Sequence, residues 1–276
     1  MASTAKGGLF AGEKVYDHAN HGELLGDGTS VIAGGERRLL SATPRPSGYD
    51  SSGYAKAYGE AFPLIPRSEW KDRLAEQTER RMRVSDHIDF EPYDQNGLPT
   101  CWANGPCQAF ATLRRMMGLP YVQISACSVA VPISGGHSGG WEGDAFKYLA
   151  EHGGVSTEFW PNNAANRSLM NDQKCQESRK LHMALEVVDL GSDFDAFATA
   201  ALLGLPAAFA YNAMSHVMMG CDLVEIESGS WGYRPRNSWG QWGAKNTRGK
   251  MGFNTWRESY GPNSGMALRV ITNSIR

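Results

Sequence analysis

Apolar residues along this chain change their spacing twice, and each change marks a different kind of structure. Up to residue 67, neither a period of 3.6 nor one of 2 is sustained; "GELLGDGTSVIAGGERRLLSATPRPSGYDSSGYAKAYG" mixes Gly, Ser and Ala with scattered charge. This predicts an extended arm over residues 1–67, with a short strand at Thr29–Ala33. Residues 68–85, within "PRSEWKDRLAEQTERRMRV", predict a charged linker helix: Ser68 can cap it, Glu69 suits the first turn, and Trp70, Leu74 and Met82 form a narrow stripe. From residue 86 helical spacing dominates first. A helix from Cys101 places Trp102, Phe110, Leu113 and Met117 roughly on one face before Gly118. A second covers Glu142–His152, and a third starts at Ser192 or Asp193, buries Phe194, Phe197, Ala201 and Leu202, and stops at Gly204. Strand-like runs follow at 206–211, 216–226, 232–239, 249–253 and 265–272, separated by Gly, Ser and Asn. Helices first and antiparallel strands later predict an α+β fold with segregated layers.

The totals narrow the chemistry. A chain of 276 residues, 41% hydrophobic, is long enough for one large domain or two lobes sharing a cleft. Its net charge of -2 argues against a nucleic-acid surface or an anionic membrane face as partner. No run approaches the ~20 apolar residues of a membrane span, and "MASTAKGGLF" does not read as a secretory signal. The expectation is a soluble protein, cytoplasmic or carried in an assembled particle. Five cysteines, Cys101, Cys107, Cys127, Cys175 and Cys221, are an odd number and too sparse for a disulfide scaffold.

"PTCWANGPC" holds two of them. The spacing of Cys101 and Cys107 does not match a structural zinc site, and His18 and His21 lie in the arm, where a solvated loop is the simpler reading; no metal or cofactor is expected. On a helix the two sulfurs are about 9 Å apart along the axis, beyond the reach of a disulfide. Two readings of Cys101 are left. A cysteine in such a chain commonly serves as a small buried hydrophobe. At a helix N-terminus capped by Thr100 it is also suited to be a thiolate nucleophile, because the free amides of the first turn lower its pKa. The second reading needs a base, a group to orient it and donors for an oxyanion. His216 heads a probable strand, Asn237 can hold its tautomer, Trp239 can shield that bond from water, and Gln95 lies six residues before Cys101.

Gln, Cys, His and Asn in this order resemble the papain family of cysteine peptidases. "DQNGLPTCW" resembles D/N-Q-G-x-C-G-S-C-W; "SGGWEGDAFKYLAEHGGVSTEFWP" is similar to the family's glycine pair and the helix after it; Ser215-His216 and "RNSWGQWG" resemble N/D-H-A and K-N-S-W-G-x-x-W-G. The resemblance covers residues 86–276. It implies a two-lobed fold, a helical lobe against an antiparallel β-sheet or barrel lobe, with the cleft between. It also implies Cys101 as nucleophile, His216 as general base and then acid, Asn237 as orienter and Gln95 as oxyanion donor. Gly139 and Gly140 would pair with an extended peptide or protein substrate, and Trp239 would flank Asn237. The reaction would be hydrolysis through a thioester, without a cofactor.

The chain also departs from the family. Leu98 and His137 stand where the family has a bridged pair of cysteines, and Ser215 stands where Asn or Asp is usual. Pro106 would remove a helical hydrogen bond at a cost of about 3 kcal/mol, which predicts a kink or a late start to the helix. The arm lacks the family's usual inhibitory pattern; it is a divergent propeptide or an assembly arm contacting protein neighbours. Two further readings share these residues: a catalytically inactive papain-fold assembly protein, and an acyltransferase or amidase with the same Cys-His-Asn chemistry.

Overall fold

The computed structural model describes residues 8–24, 30–33, 36–49, 55–57 and 61–271. The helices are α1 (Trp70–Arg80), α2 (Cys101–Met116), α3 (Cys127–Ser134), α4 (Glu142–Glu151), α5 (Gln173–Leu181) and α6 (Phe194–Leu202). The strands are β1 (Val15–Tyr16), β2 (Ser30–Ala33), β3 (Glu36–Leu39), β4 (Ala55–Ala57), β5 (Ala184–Asp189), β6 (Ala207–Tyr211), β7 (His216–Glu227), β8 (Ser230–Arg236), β9 (Thr255–Arg257) and β10 (Ser264–Ile271). Eight strands form one sheet in the order β1-β9-β8-β7-β6-β10-β5-β4, while β2 and β3 pair with each other. The architecture is α+β, with the central strands antiparallel. Among the described residues no helix is long and apolar enough to cross a membrane. Most of the N-terminal segment tested for a leader, residues 1–7, lies outside the described residues.

Helix α2 organises the core. Every residue from Cys101 to Arg114 is buried, as expected of a helix packed on all sides. It starts at Cys101 and runs on with Pro106 inside it, so the late start read from the sequence does not occur. The adjacent Gly105 explains the trade: a Cβ there would lie 2.9 Å from Val217 Cγ1 and 3.2 Å from Ala208 Cβ. Glycine lets α2 lie directly on β6 and β7, and the apolar contact offsets the hydrogen bond that Pro106 cannot give to the Trp102 carbonyl. Asn104 turns inward and donates to the Thr100 carbonyl (2.9 Å) and hydroxyl (3.1 Å), steadying the first turn.

The charged helix is shorter than 68–85. A 3-10 turn at Arg67–Glu69 leads into α1 without a side-chain cap from Ser68, and Arg81 closes it in the left-handed region (φ 53°). Met82 is exposed beyond the end, whereas Trp70 is fully buried against Phe194 and Trp231. One tryptophan therefore docks α1 on the β lobe. The strand expected at Thr29–Ala33 is β2 where it is described. The run at 249–253 is not a strand; Phe253 makes only isolated bridges to Arg236 and Ala244. Thr272, at the end of the last run, lies outside the described residues.

Several elements carry no clear sequence signal, β9 and the arm strands β1, β3 and β4 among them. α3 reads "CSVAVPIS", β-branched with an internal proline; α5 reads "QKCQESRKL", almost wholly polar; β5 is short. α5 does have a cap, since Asp172 Oδ1 accepts from the Cys175 amide at 3.0 Å. Leu98 packs on the small cluster of Cys127, Val131, Val155, Trp160 and Cys175, so apolar packing holds the loop that the family ties with a bridge. All five thiols are unbonded.

Candidate active site

Two loops meet at the N-terminus of α2. The Gln95 amide donates to the Ser238 carbonyl (2.9 Å), and the Ser238 hydroxyl donates to Gln95 Oε1 (2.8 Å). That second bond turns Gln95 Nε2 outward, where it donates to the carbonyls of Leu39 (2.8 Å) and Leu98 (3.1 Å). Asp94 forms a β-bridge with Trp239, so the Gln95 loop and the Asn237–Trp239 loop move as one. The β7–β8 register, Met219 opposite Arg236, returns the chain after β8 to the start of β7. Asn237 thereby reaches His216.

His216 Nε2 lies 2.8 Å from Asn237 Oδ1, and Asn237 Nδ2 donates to Asn254 Oδ1 at 3.0 Å. With its Nδ2 so engaged, Asn237 presents oxygen, and the imidazole must carry its proton on Nε2. Trp239 stacks on the ring at 4.6 Å and 24°, covering this contact. His216 Nδ1 is left buried without a hydrogen-bond partner. Cys101 is on the other side of the same junction: the amide of Val217, the next residue after His216, points at its sulfur, as do the amides of Trp102 and Ser41. Thr100 does not cap α2 with its side chain, because its hydroxyl accepts from Asn104 instead.

The cleft above this pair is filled by the chain's own arm. Ser41 Oγ sits 3.3 Å from Cys101 Sγ, the Gly140 amide donates to Ser41 O (3.1 Å), the Thr43 amide donates to Gly140 O (2.9 Å), and the Ala42 amide donates to Ser215 O (2.7 Å). Ala42 pairs with Gly140 in parallel. The glycines are a steric requirement. A Cβ on Gly139 would fall 2.0 Å from Ser41 O, and one on Gly140 would fall 2.5 Å from the Trp102 indole. Ser215 reaches its position in the left-handed region (φ 46°), a conformation uncommon for residues other than glycine.

The structure is similar to solved structures of cysteine proteases and their proforms. Xylellain from Xylella fastidiosa superposes with a TM-score of 0.57 at 16% identity, over 86% of this chain and 99% of that one. Procathepsin L2 from the Tenebrio molitor larval midgut gives 0.56 at 18% identity, over 81% and 76%. Procathepsin L 3 of the same insect gives 0.55 at 14%, over 84% and 74%. The chain has the papain-like fold. No family model matches it, and no curated protein matches it by sequence.

Within the papain-like fold, burial sets the protonation of the pair. Burial pushes the Cys101 thiol up, against the pull of the Ser41 hydroxyl and the Val217, Ser41 and Trp102 amides. Burial also pushes His216 down to about 4, with the Asn237 bond opposing it. The lowered thiol pKa expected from the helix N-terminus is therefore not present under the arm; desolvation outweighs the amides. The closed site holds a neutral thiol and a neutral imidazole. Among the described residues no group of three His, Cys, Asp or Glu side chains is arranged to hold a metal.

Sequence reasoning missed Ser41, Ser238 and Asn254. Ser238 lies inside "NSWG", so its hydrogen bond to Gln95 could have been sought there. Ser41 sits in an aperiodic stretch with no signal at all. His137 is exposed on its glycine loop, and none of the hydrogen bonds around Cys101 or His216 involves it.

Proposed function

We propose that the chain is a cysteine peptidase of the papain type, held latent by residues 39–43 of its own arm. The observation that carries this reading is His216: one ring nitrogen is bound to Asn237, the other is buried without a partner beside the residue whose amide points at Cys101. A core histidine serving structure alone would satisfy both nitrogens. The seated arm adds support, because a peptide carbonyl already accepts from Gln95 and a peptide backbone already pairs with Gly140.

With the arm displaced, water reaches the pair and both pKa shifts relax: the thiol falls, the imidazole rises, and a thiolate–imidazolium pair becomes accessible. The thiolate adds to a substrate carbonyl, and the oxyanion takes hydrogen bonds from Gln95 Nε2 and the Cys101 amide. The imidazolium gives its Nδ1 proton to the departing amine, leaving a thioester. His216 then takes a proton from water, hydroxide adds to the thioester, and the carboxylic acid leaves as the thiol is restored.

The test is turnover of fluorogenic peptides by the full chain carrying Ala42→Pro, which removes the amide bonded to Ser215. Turnover that Cys101→Ser abolishes supports a peptidase. Absence of turnover, with the fold intact by circular dichroism, removes it. A second reading has one observation in its favour: β1 and β4 of the arm are built into opposite edges of the main sheet. An inactive assembly protein would keep the arm in place permanently. Intact mass separates the two, since a zymogen is cleaved between about residues 60 and 90 whereas an assembly protein stays whole.

A further inference from the structure

Beside the Gly139–Gly140 wall lies a cluster that the chemistry above does not use. Arg45, two residues past the backbone pairing of Thr43, makes a two-pronged ion pair with Asp189: Nη1 donates to Oδ1 at 2.7 Å and Nη2 donates to Oδ2. Its guanidinium lies 5.8 Å from the Trp141 ring centroid and 5.1 Å from that of Tyr49, itself packed edge-on against Trp141 at 4.2 Å. Below Trp141 the carboxylate of Glu142 is fully buried. Oε1 accepts from the Ser264 hydroxyl, while Oε2 is buried with no hydrogen-bond partner. Arg45 is close enough for its charge to act on Glu142, whose pKa burial pushes up to about 7. The cation of this cluster comes from the arm, and both acidic side chains come from the main domain.

We propose that Trp141, Glu142, Asp189 and Ser264 form a side-chain subsite of the cleft for a basic residue, above all arginine, and that Arg45 fills it in the closed state. Asp189 supplies the planar two-oxygen acceptor that matches a guanidinium fork. Trp141 supplies the ring face that a guanidinium covers. Glu142 Oε2, buried without a hydrogen-bond partner, supplies a further acceptor at depth, and a cation beside it favours the carboxylate over the protonated acid that burial promotes. Leucine or phenylalanine in this position would strand the Asp189 carboxylate away from water, so the site selects against apolar side chains as well as for basic ones. The subsite rests on the peptidase reading for its role in substrate choice, but its binding chemistry does not require turnover.

The experiment uses the full chain with Ala42→Pro, to lift the strap, Cys101→Ala, to prevent cleavage, and Arg45→Ala, to vacate the subsite. Fluorescent alanine-based peptides, each carrying one arginine or its neutral isostere citrulline at successive positions, are titrated by anisotropy. At one position the arginine peptide is expected to bind about tenfold tighter than its citrulline twin, and adding Asp189→Asn is expected to bring that ratio near one. Equal binding of each pair, or no binding of either, overturns the proposal. The same peptides offered to the Ala42→Pro, Arg45→Ala chain with Cys101 intact separate the two claims. Selective binding without cleavage removes the peptidase and keeps the subsite; cleavage without arginine preference keeps the peptidase and removes the subsite.

Discussion

Two stretches of the arm, residues 8–16 and 39–45, lie against the same domain in different ways. The first is built in through buried charge. Arg234 donates to Glu13 (2.8 Å), Asp222 (2.9 Å) and the Gly8 carbonyl (2.7 Å), and Thr255 adds a hydroxyl bond to Glu13 (2.7 Å). Glu13 and Arg234 side chains are 0% and 1% exposed, and Phe10 lies on the guanidinium at 3.8 Å. The second stretch is held by three backbone bonds, the Gln95 side-chain amide and the Arg45–Asp189 ion pair, with Arg38 just before it paired to Asp94; each ion pair has one partner partly open to water. Separating a buried charge cluster exposes unpaired ions, whereas lifting an extended strap exchanges its backbone bonds for water. The arm is thus one anchor and one releasable strap, and opening the cleft does not require loss of the anchor.

The largest effect is expected at the anchor. Glu13→Ala leaves Arg234 with Asp222 as its single carboxylate and should lower stability by about 3–5 kcal/mol, read from the urea midpoint. A change under 1 kcal/mol would place the two stretches on equal terms.

Acid is expected to act on the cleft. His216 is held near 4, below its unfolded value, so the unfolded chain binds more protons between about pH 6.5 and 4, and the stability from a neutral His216 is lost as pH falls through that window. His182, also near 4 through burial and Arg114, acts in the same direction. Glu142 acts oppositely: its pKa near 7 means the folded chain binds more protons, and its contribution is lost as pH rises from about 4.5 to 7. Glu142→Gln removes the opposing group and should deepen the stability loss between pH 7 and 4.5 by about 3 kcal/mol, measured by denaturant titration at each pH. An unchanged pH profile would show that Glu142 does not titrate in that range.

A smaller effect is expected at the strap itself. Gly139→Ala places a methyl group on the Ser41 carbonyl and should displace residues 41–43 at a cost of about 1–2 kcal/mol, raising the alkylation rate of Cys101 about five- to thirtyfold. The urea midpoint should move little. A large loss of global stability instead would mean that the strap belongs to the core.

The contrast also explains which features were legible in the sequence. Gln95, Cys101, His216 and Asn237 sit in short motifs whose local structure, a helix start and two strand ends, is set by neighbouring residues. The α+β fold followed from helical and strand spacing in the same region. The strap follows no such rule: Leu39–Thr43 is extended because Gly140, Ser215 and Gln95 hold it, and those partners lie 56 to more than 170 positions away. Pro106 misled for a similar reason, since the contact that tolerates it is between Gly105 and strands over 100 residues downstream. α3 and α5 were missed because tertiary burial overrides a β-branched run in one and an Asp172 cap rescues a polar run in the other.

The central claim is that Cys101 and His216 form a working pair once the strap is lifted. The most direct measurement is alkylation by iodoacetamide near pH 6, mapped by mass spectrometry in the full chain with Ala42→Pro, with and without His216→Ala. The account expects Cys101 to be labelled well ahead of Cys107 and Cys175, and that preference to vanish with His216→Ala. Labelling of Cys101 no faster than the other thiols, or a preference that survives the loss of His216, would contradict it.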